Sequence, residues 1–232
     1  PLNKNWMKFV LKYTSNLTEK VFVRDESSVN FFYKAEIIPD LAMGVKVPEK
    51  KHISKKYFEV VISAMIIDSN KNELSQYNYR QALEKLIVYL KENNPKVVIK
   101  LLAMDSKRDV AELKYFKNFC SMKNLDCAIV VANNFDILEK IFKTCDLVIA
   151  TRLHAAILAQ LYECPYLSIS YQEKVSNYMI SHGLSGSCAR VDKDMKLNLQ
   201  LTYEKINQNI EEMKNYNSEQ RKKLLALSDM FI

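Results

Sequence analysis

Asp146-Leu147-Val148-Ile149-Ala150-Thr151-Arg152-Leu153-His154-Ala155-Ala156-Ile157-Leu158-Ala159 is the stretch on which the fold turns. Residues 147–150 are apolar without alternation, the pattern of a strand covered on both faces. Thr151 is a natural N-cap, and the run 153–162 is apolar almost all round, as in a helix buried on most sides. Pro165-Tyr166-Leu167-Ser168-Ile169-Ser170 then reads as the next strand and 174–181 as the next helix. Apolar strands joined through helices imply βαβ crossovers and a mostly parallel sheet.

Upstream the alternation continues. Residues 57–66, 96–103 and 127–131 read as strands, and 72–92, 108–122 and 135–145 as helices. In 72–92, Leu83, Leu86, Ile87 and Leu90 recur at i, i+3, i+4, i+7, the spacing of one helix face. The spacing therefore predicts a carboxyl-terminal Rossmann-like domain over 56–195. Residues 46–55, charged and carrying Pro48, read as a linker. Residues 1–45 read as the end of a truncated amino-terminal Rossmann-like domain, with a helix at 5–15, a strand at 21–23, a helix from the capping Asp25 to about Tyr33, and a strand at 36–38. Two polar helices, 197–215 and 217–231, make up a carboxyl-terminal segment over 196–232. The first residue is proline rather than methionine, so we expect a segment ahead of it.

Composition narrows the function. The chain has 232 residues, of which 48% are apolar, enough for a substantial core. No apolar run approaches the roughly 18 residues that cross a bilayer, and no signal pattern opens the chain. A soluble cytoplasmic protein is expected, with membrane contact at most peripheral. The five cysteines form no C-x-x-C pair, which argues against a zinc or dithiol motif and for reduced thiols. The formal charge of +7 favours anionic partners, but no dense basic stretch with interleaved aromatics marks a nucleic-acid surface. Only three glycines occur, Gly44, Gly183 and Gly186, so neither G-x-G-x-x-G nor a P-loop can be written. Phosphate would have to be held by helix amino termini and cationic side chains.

Ligands of parallel sheets bind beyond the carboxyl ends of the strands. That rule selects Arg24, Asp105 with Ser106, Asn133 with Asn134, Arg152 with His154, and Tyr171 to Lys174. With Thr151 as N-cap, Arg152 takes the first helical position and His154 the third. A cation there opposes the positive end of the helix dipole by about 0.3–1 kcal/mol, a mismatch that an anion on the helix terminus removes. Backbone N–H groups, guanidinium and imidazole would then converge on one phosphate or carboxylate. The competing reading pairs Arg152 with a nearby acid such as Asp146 and makes His154 a core residue. For Arg24 the alternative is an interdomain salt bridge, and for Lys174 a side chain that extends to solvent. His182-Gly183 reads as a helix carboxyl terminus, His52 lies in the linker, and Tyr77, Tyr79 and Arg80 read as helix-surface packing.

Taken together, these segments resemble the polysaccharide pyruvyl transferase family. The matching blocks are Val21-Phe22-Val23-Arg24-Asp25-Glu26-Ser27-Ser28, Ile38-Pro39-Asp40-Leu41-Ala42, the 146–159 stretch, and 165–174 through Tyr171-Gln172-Glu173-Lys174. The resemblance implies an α/β chain forming the carboxyl-terminal part of a glycosyltransferase-B-like two-domain architecture with its active site between domains. It implies transfer of pyruvyl from phosphoenolpyruvate to a sugar diol, giving a ketal and free phosphate, with no cofactor and no metal. The partners it implies are phosphoenolpyruvate and a saccharide acceptor, lipid- or nucleotide-linked in some cases. By position it makes His154 the catalytic residue and Arg24, Arg152 and Lys174 substrate-binding. Two features depart from the family: a glycine-containing first βα turn is missing, and Glu163-Cys164 stands before Pro165 where glycine is common. Two other functions stay open, a nucleotide-sugar-dependent glycosyltransferase on the same scaffold and a non-catalytic sugar-binding protein.

Overall fold

The structure, a computed structural model, describes residues 5–24, 26–32, 34–44, 47, 55–67, 73–190, 203, 215, 217–220 and 222–224. The chain forms two compact units, Pro1–Lys46 with Asn217–Ile232, and Val47–Tyr216. The expected linker at 46–55 lies outside the described residues except for Val47 and Lys55, as do His52, Asp25 and most of the helices expected at 197–215 and 217–231.

In the larger unit six parallel strands form one sheet: β3 (Phe58–Ser63), β4 (Val97–Ala103), β5 (Asp126–Val131), β6 (Leu147–Ala150), β7 (Tyr166–Ser170) and β8 (Cys188–Arg190). The labels β1 and β2 belong to Val21–Val23 and Ala35–Ile37 of the smaller unit. The spatial order is β5-β4-β3-β6-β7-β8. Numbered from the first strand of the unit, that is the Rossmann order 3-2-1-4-5-6, which reverses direction between β3 and β6.

Helices cover both faces. α3 (Glu73–Asn93) and α4 (Val110–Met122) connect β3 to β4 and β4 to β5. Tyr79, Leu83, Leu86, Ile87 and Leu90 of α3 and Leu113 and Phe116 of α4 pack on Val60, Ile62, Ile99, Leu101, Leu147, Ile149, Leu167 and Ile169. Leu83, Leu86, Ile87 and Leu90 are buried at the spacing the sequence predicts. Side chains alternate along a strand, so Ser63 points to the opposite face. The register Ser63↔Ala150↔Ser168 makes a row of small residues there. α5 (Phe135–Thr144), α6 (Leu153–Leu161) and α7 (Glu173–Ser181) belong to the same unit, and α6 buries Ala155, Ala156 and Ala159.

Three boundaries differ from the sequence reading. The strand expected over 57–66 stops at Ser63, because the chain beyond it leaves the ladder and the Ile67 N–H donates to Gln76 Oε1 (2.7 Å) on α3. β8 carries no strand signal of its own and forms because it can pair with β7, Ser168↔Cys188 through Ser170↔Arg190. The helix expected from Asp25 to Tyr33 shortens to α2 (Glu26–Val29).

Acids and bases cluster at the amino ends of the strands. Glu59, 1% exposed, receives Lys100 Nζ at 3.0 Å and the Thr144 hydroxyl at 3.1 Å. Asp146 accepts from Lys55 Nζ (3.1 Å) and from the Glu59 N–H (2.8 Å).

Positive backbone angles at Asn124, Glu163 and Gly183 close α4, α6 and α7. Gly183, at φ +71°, ends α7 as the His182-Gly183 pair predicts. Glu163 adopts φ +52° after α6, a left-handed conformation costing a side-chain-bearing residue about 1–2 kcal/mol. Glu163→Gly removes that strain and returns part of it as unfolded-state entropy, about 0.5–1 kcal/mol. A net gain of up to about 1 kcal/mol in urea unfolding is expected; a loss of stability would show that the Glu163 side chain contributes more than its backbone costs.

In the smaller unit α1 (Asn5–Ser15) precedes β1, which pairs in parallel with β2, Val21↔Ala35 through Val23↔Ile37. β1, α2 and β2 thus form one βαβ unit, followed by a short 3-10 turn at Leu41–Gly44. Among the described residues no helix is long and apolar enough to cross a membrane.

Candidate active site at the carboxyl edge of the sheet

Because all six strands are parallel, their carboxyl ends share one edge, and the connections Ala64–Ile67, Met104–Asp109, Ala132–Asn134, Thr151–Arg152 and Tyr171–Gln172 all leave from it. Between β3 and β6, the crossovers run in opposite directions and leave the crevice where ligands of this fold bind.

β6 ends at Ala150, and the Thr151 N–H donates to the Ser63 carbonyl at 3.0 Å, tying the two central strands together at that crevice. The N-cap of α6 is Arg152 (φ −84°, ψ 129°), one residue later than the sequence predicts. Thr151 is fully buried and shares a 3.0 Å hydrogen bond with the Tyr79 hydroxyl instead of capping the helix. Burial pushes the Tyr79 phenol above its ordinary pKa, while the Thr151 bond acts the other way. Tyr79 belongs to the core rather than to the helix surface that the sequence predicts. Tyr79→Phe leaves the Thr151 hydroxyl buried without that partner, and a loss of about 1–2 kcal/mol in thermal or chemical unfolding is expected.

With the cap shifted, Leu153 becomes the first helical residue and His154 the second. His154 is exposed, and its ring has no hydrogen-bond partner among the described residues. It is therefore not the core histidine of the competing reading.

Arg152 does have an acidic partner, but not Asp146. β6 lies between those two residues, and Asp146 sits at its opposite end with Lys55. The partner is Asp109, wholly buried ahead of α4, whose Oδ1 accepts from Arg152 Nε (3.1 Å) and from Nη2. Asp109 Oδ2 accepts from the N–H groups of Met104 (3.1 Å) and Asp105 (2.9 Å). Asp105 itself accepts from the Lys107 and Arg108 N–H groups (3.0 and 3.2 Å). The Lys107 N–H bond is the main cause holding its carboxyl below the ordinary range, with Arg108 and Arg152 adding to it. In the sequence Asp109 falls at the start of the helix expected over 108–122. The usable signal is an acid at each end of Ser106-Lys107-Arg108 shortly after a strand.

Lys174 leaves the adjacent strand, since β6 and β7 run in register from Val148↔Tyr166 to Ala150↔Ser168. It is exposed at the second position of α7, behind Gln172, which makes no side-chain cap. Arg24 belongs to the smaller unit, at the carboxyl end of β1, and donates through Nη1 to Asp40 Oδ2 at 2.7 Å. That salt bridge is internal to its own unit. Asn134 caps α5 by accepting from the Ile137 N–H (3.0 Å), a structural role.

Two fully buried hydroxyls, Ser63 Oγ and Ser168 Oγ, have no hydrogen-bond partner among the described residues. They flank Ala150 in the row of small residues. No group of three His, Cys, Asp or Glu side chains among the described residues is placed to hold a metal ion.

Fold and edge together define an α/β Rossmann-like domain that gathers cationic side chains and helix amino termini at its carboxyl face. The chain belongs to the polysaccharide pyruvyl transferase family, whose pattern matches residues 1–173. No curated protein matches it in sequence. Solved structures with the same fold include TarM, 16% identical over 96% of this chain and 43% of that one, at a TM-score of 0.50. HepE from Anabaena, solved with UDP and glucose, is 14% identical over 93% of this chain and 63% of its own, at a TM-score of 0.53. Sucrose-phosphate synthase from Thermosynechococcus elongatus is 13% identical over 95% and 56%, also at 0.53. All three share this fold of a parallel sheet flanked by helices, so the expected α/β fold class holds. The chain spans 43%, 63% and 56% of those three proteins.

Proposed function

We propose that this protein is part of a transferase that moves pyruvyl from phosphoenolpyruvate to a sugar diol of a surface polysaccharide or its precursor. The observation that carries this reading is the family match across residues 1–173 combined with the position of His154. An exposed imidazole sits on the amino terminus of α6, beside Arg152 and one strand from Lys174. Phosphoenolpyruvate carries a phosphate and a carboxylate, and such an anion needs several cations and N–H donors. Arg152, Lys174 and the α6 terminus are the groups we assign to it.

In the reaction the methylene carbon takes a proton and becomes a methyl group. The first sugar hydroxyl adds to the resulting oxocarbenium-like carbon and loses its proton. The second hydroxyl then displaces phosphate, which leaves with the remaining proton, and the ketal closes. His154 is the group we assign to proton transfer at the hydroxyl or the departing phosphate. The scheme uses no cofactor, and we place it in the cytoplasm.

The test is phosphate release from phosphoenolpyruvate in the presence of a panel of saccharide acceptors, with the ketal methyl group read by NMR. Acceptor-dependent release with a new ketal methyl signal supports the reading. Release of nucleotide from a nucleotide sugar, with phosphoenolpyruvate inert, would replace it by the glycosyltransferase alternative that the shared scaffold leaves open.

A further inference from the structure

We propose that Asp109 is a positioning residue for the donor's anion, holding Arg152 so that one edge of its guanidinium is presented to the ligand. This rests on the donor-binding reading above and deepens it.

A carboxylate that is 0% exposed is costly unless its oxygens are paired and hydrogen-bonded. Those of Asp109 are, and their partners come from two different connections. Oδ2 holds the Met104 and Asp105 N–H groups after β4, and Oδ1 holds Arg152 after β6. In the sheet β4 and β6 are not neighbours, since β3 lies between them. The ion pair therefore links the connections on either side of β3, and β3 and β6 are the strands between which the crevice opens. Asp109 has helical backbone angles (φ −89°, ψ −31°) and makes no side-chain cap to α4. Its carboxylate serves the crevice rather than its own helix.

The chemistry of arginine sets what this leaves. A guanidinium offers two edges for paired hydrogen bonds, Nε with Nη2 and Nη1 with Nη2. Asp109 takes the first. The second has no partner among the described residues, and the Arg152 side chain keeps 19% of its surface exposed. Asp109 also offsets the arginine's charge, so its contribution is geometry rather than attraction. A fork held in place before the ligand arrives loses less entropy on binding, while the net positive charge comes from Lys174 and the helix termini.

The test uses the full chain, wild type and Asp109→Asn, with Arg152→Lys to assign the arginine Nε–H resonance by NMR. Asparagine can keep the backbone N–H bonds only by turning its amide NH2 toward Arg152, which repels the guanidinium. We expect a sharp Arg152 Nε–H signal in the wild type that broadens into solvent exchange in Asp109→Asn. Phosphoenolpyruvate binding measured calorimetrically should weaken by about ten- to hundredfold. In an Arg152→Ala background the same substitution should change binding little, because the residue acts through Arg152. An unchanged signal with unchanged affinity, or an equal loss in both backgrounds, overturns the proposal. Should Asp109→Asn not fold, the wild type decides: a signal that is sharp before ligand supports pre-positioning, and one that sharpens only on adding phosphoenolpyruvate overturns it. A wild type that binds inorganic phosphate but not phosphoenolpyruvate removes the donor reading alone, and the same comparison is then made with phosphate. Binding of neither anion removes both.

Discussion

Replacing His154 by alanine is expected to lower phosphoenolpyruvate-dependent phosphate release by about 10²–10⁴-fold, the range for loss of a positioned acid–base group, without weakening the fold. The two halves of that expectation have separate causes. His154 is exposed at the second position of α6, whereas the helix is anchored by its buried Leu153, Ala155, Ala156, Ile157, Leu158, Ala159, Gln160 and Leu161. Truncating the imidazole removes no core contact and breaks no hydrogen bond among the described residues. Stopped-time phosphate assays with the acceptor found in the panel give the rate, and a thermal melt shows whether the fold survives. A variant within about threefold of wild-type kcat would remove His154 from the proton-transfer role and leave it, at most, as one donor to the anion. If activity falls only in KM, binding rather than chemistry is the residue's task.

What could be read from the sequence, and what could not, follows the range of the interactions involved. The pair β6 and α6 was legible because Leu147–Ala150 and Leu153–Leu161 are apolar runs whose burial needs no knowledge of their neighbours. The leucine and isoleucine stripe of α3 was legible for the same reason. By contrast, the cap of α6 was misplaced by one residue because the Thr151 hydroxyl is bonded to Tyr79, 72 positions away. The acid facing Arg152 was missed because Asp109 is 43 positions away and begins like an ordinary helix-starting aspartate. β8 is three residues, Cys188-Ala189-Arg190, with neither an apolar run nor alternation, and only the edge of β7 makes it a strand. The blocks around Arg24, Arg152, His154 and Lys174 carried the family, while the geometry that decides how Arg152 can act was set by partners on other strands.

The largest loss of stability is expected from Arg80→Met, about 3 kcal/mol, the lower part of the range for breaking a buried ion pair. Glu112 is 0% exposed on α4 and is bound side-on by Arg80, Nε to Oε1 at 2.9 Å and Nη2 to Oε2 at 2.5 Å. Gln76 Nε2 donates to the same Oε1 at 2.8 Å, and Gln76 Oε1 accepts from the Ile67 N–H. Arg80 also lies over the Tyr115 ring, 4.2 Å from its centroid. Removing the guanidinium therefore leaves a buried charge with one neutral donor and loosens a bond that fixes the connection after β3, at the edge of the ligand crevice. Arg80 keeps a third of its side chain exposed, so water can reach the gap and moderate the penalty, which is why the lower figure is expected. Replacing both partners by methionine should recover most of the loss, since the cost lies in the unpaired carboxylate rather than in the absent attraction. Urea unfolding of the two single variants and the double variant separates these terms. A double variant as unstable as Arg80→Met alone would show that the pair's work is to hold Gln76 and Ile67 in place, and would tie the stability of this unit to the shape of its crevice.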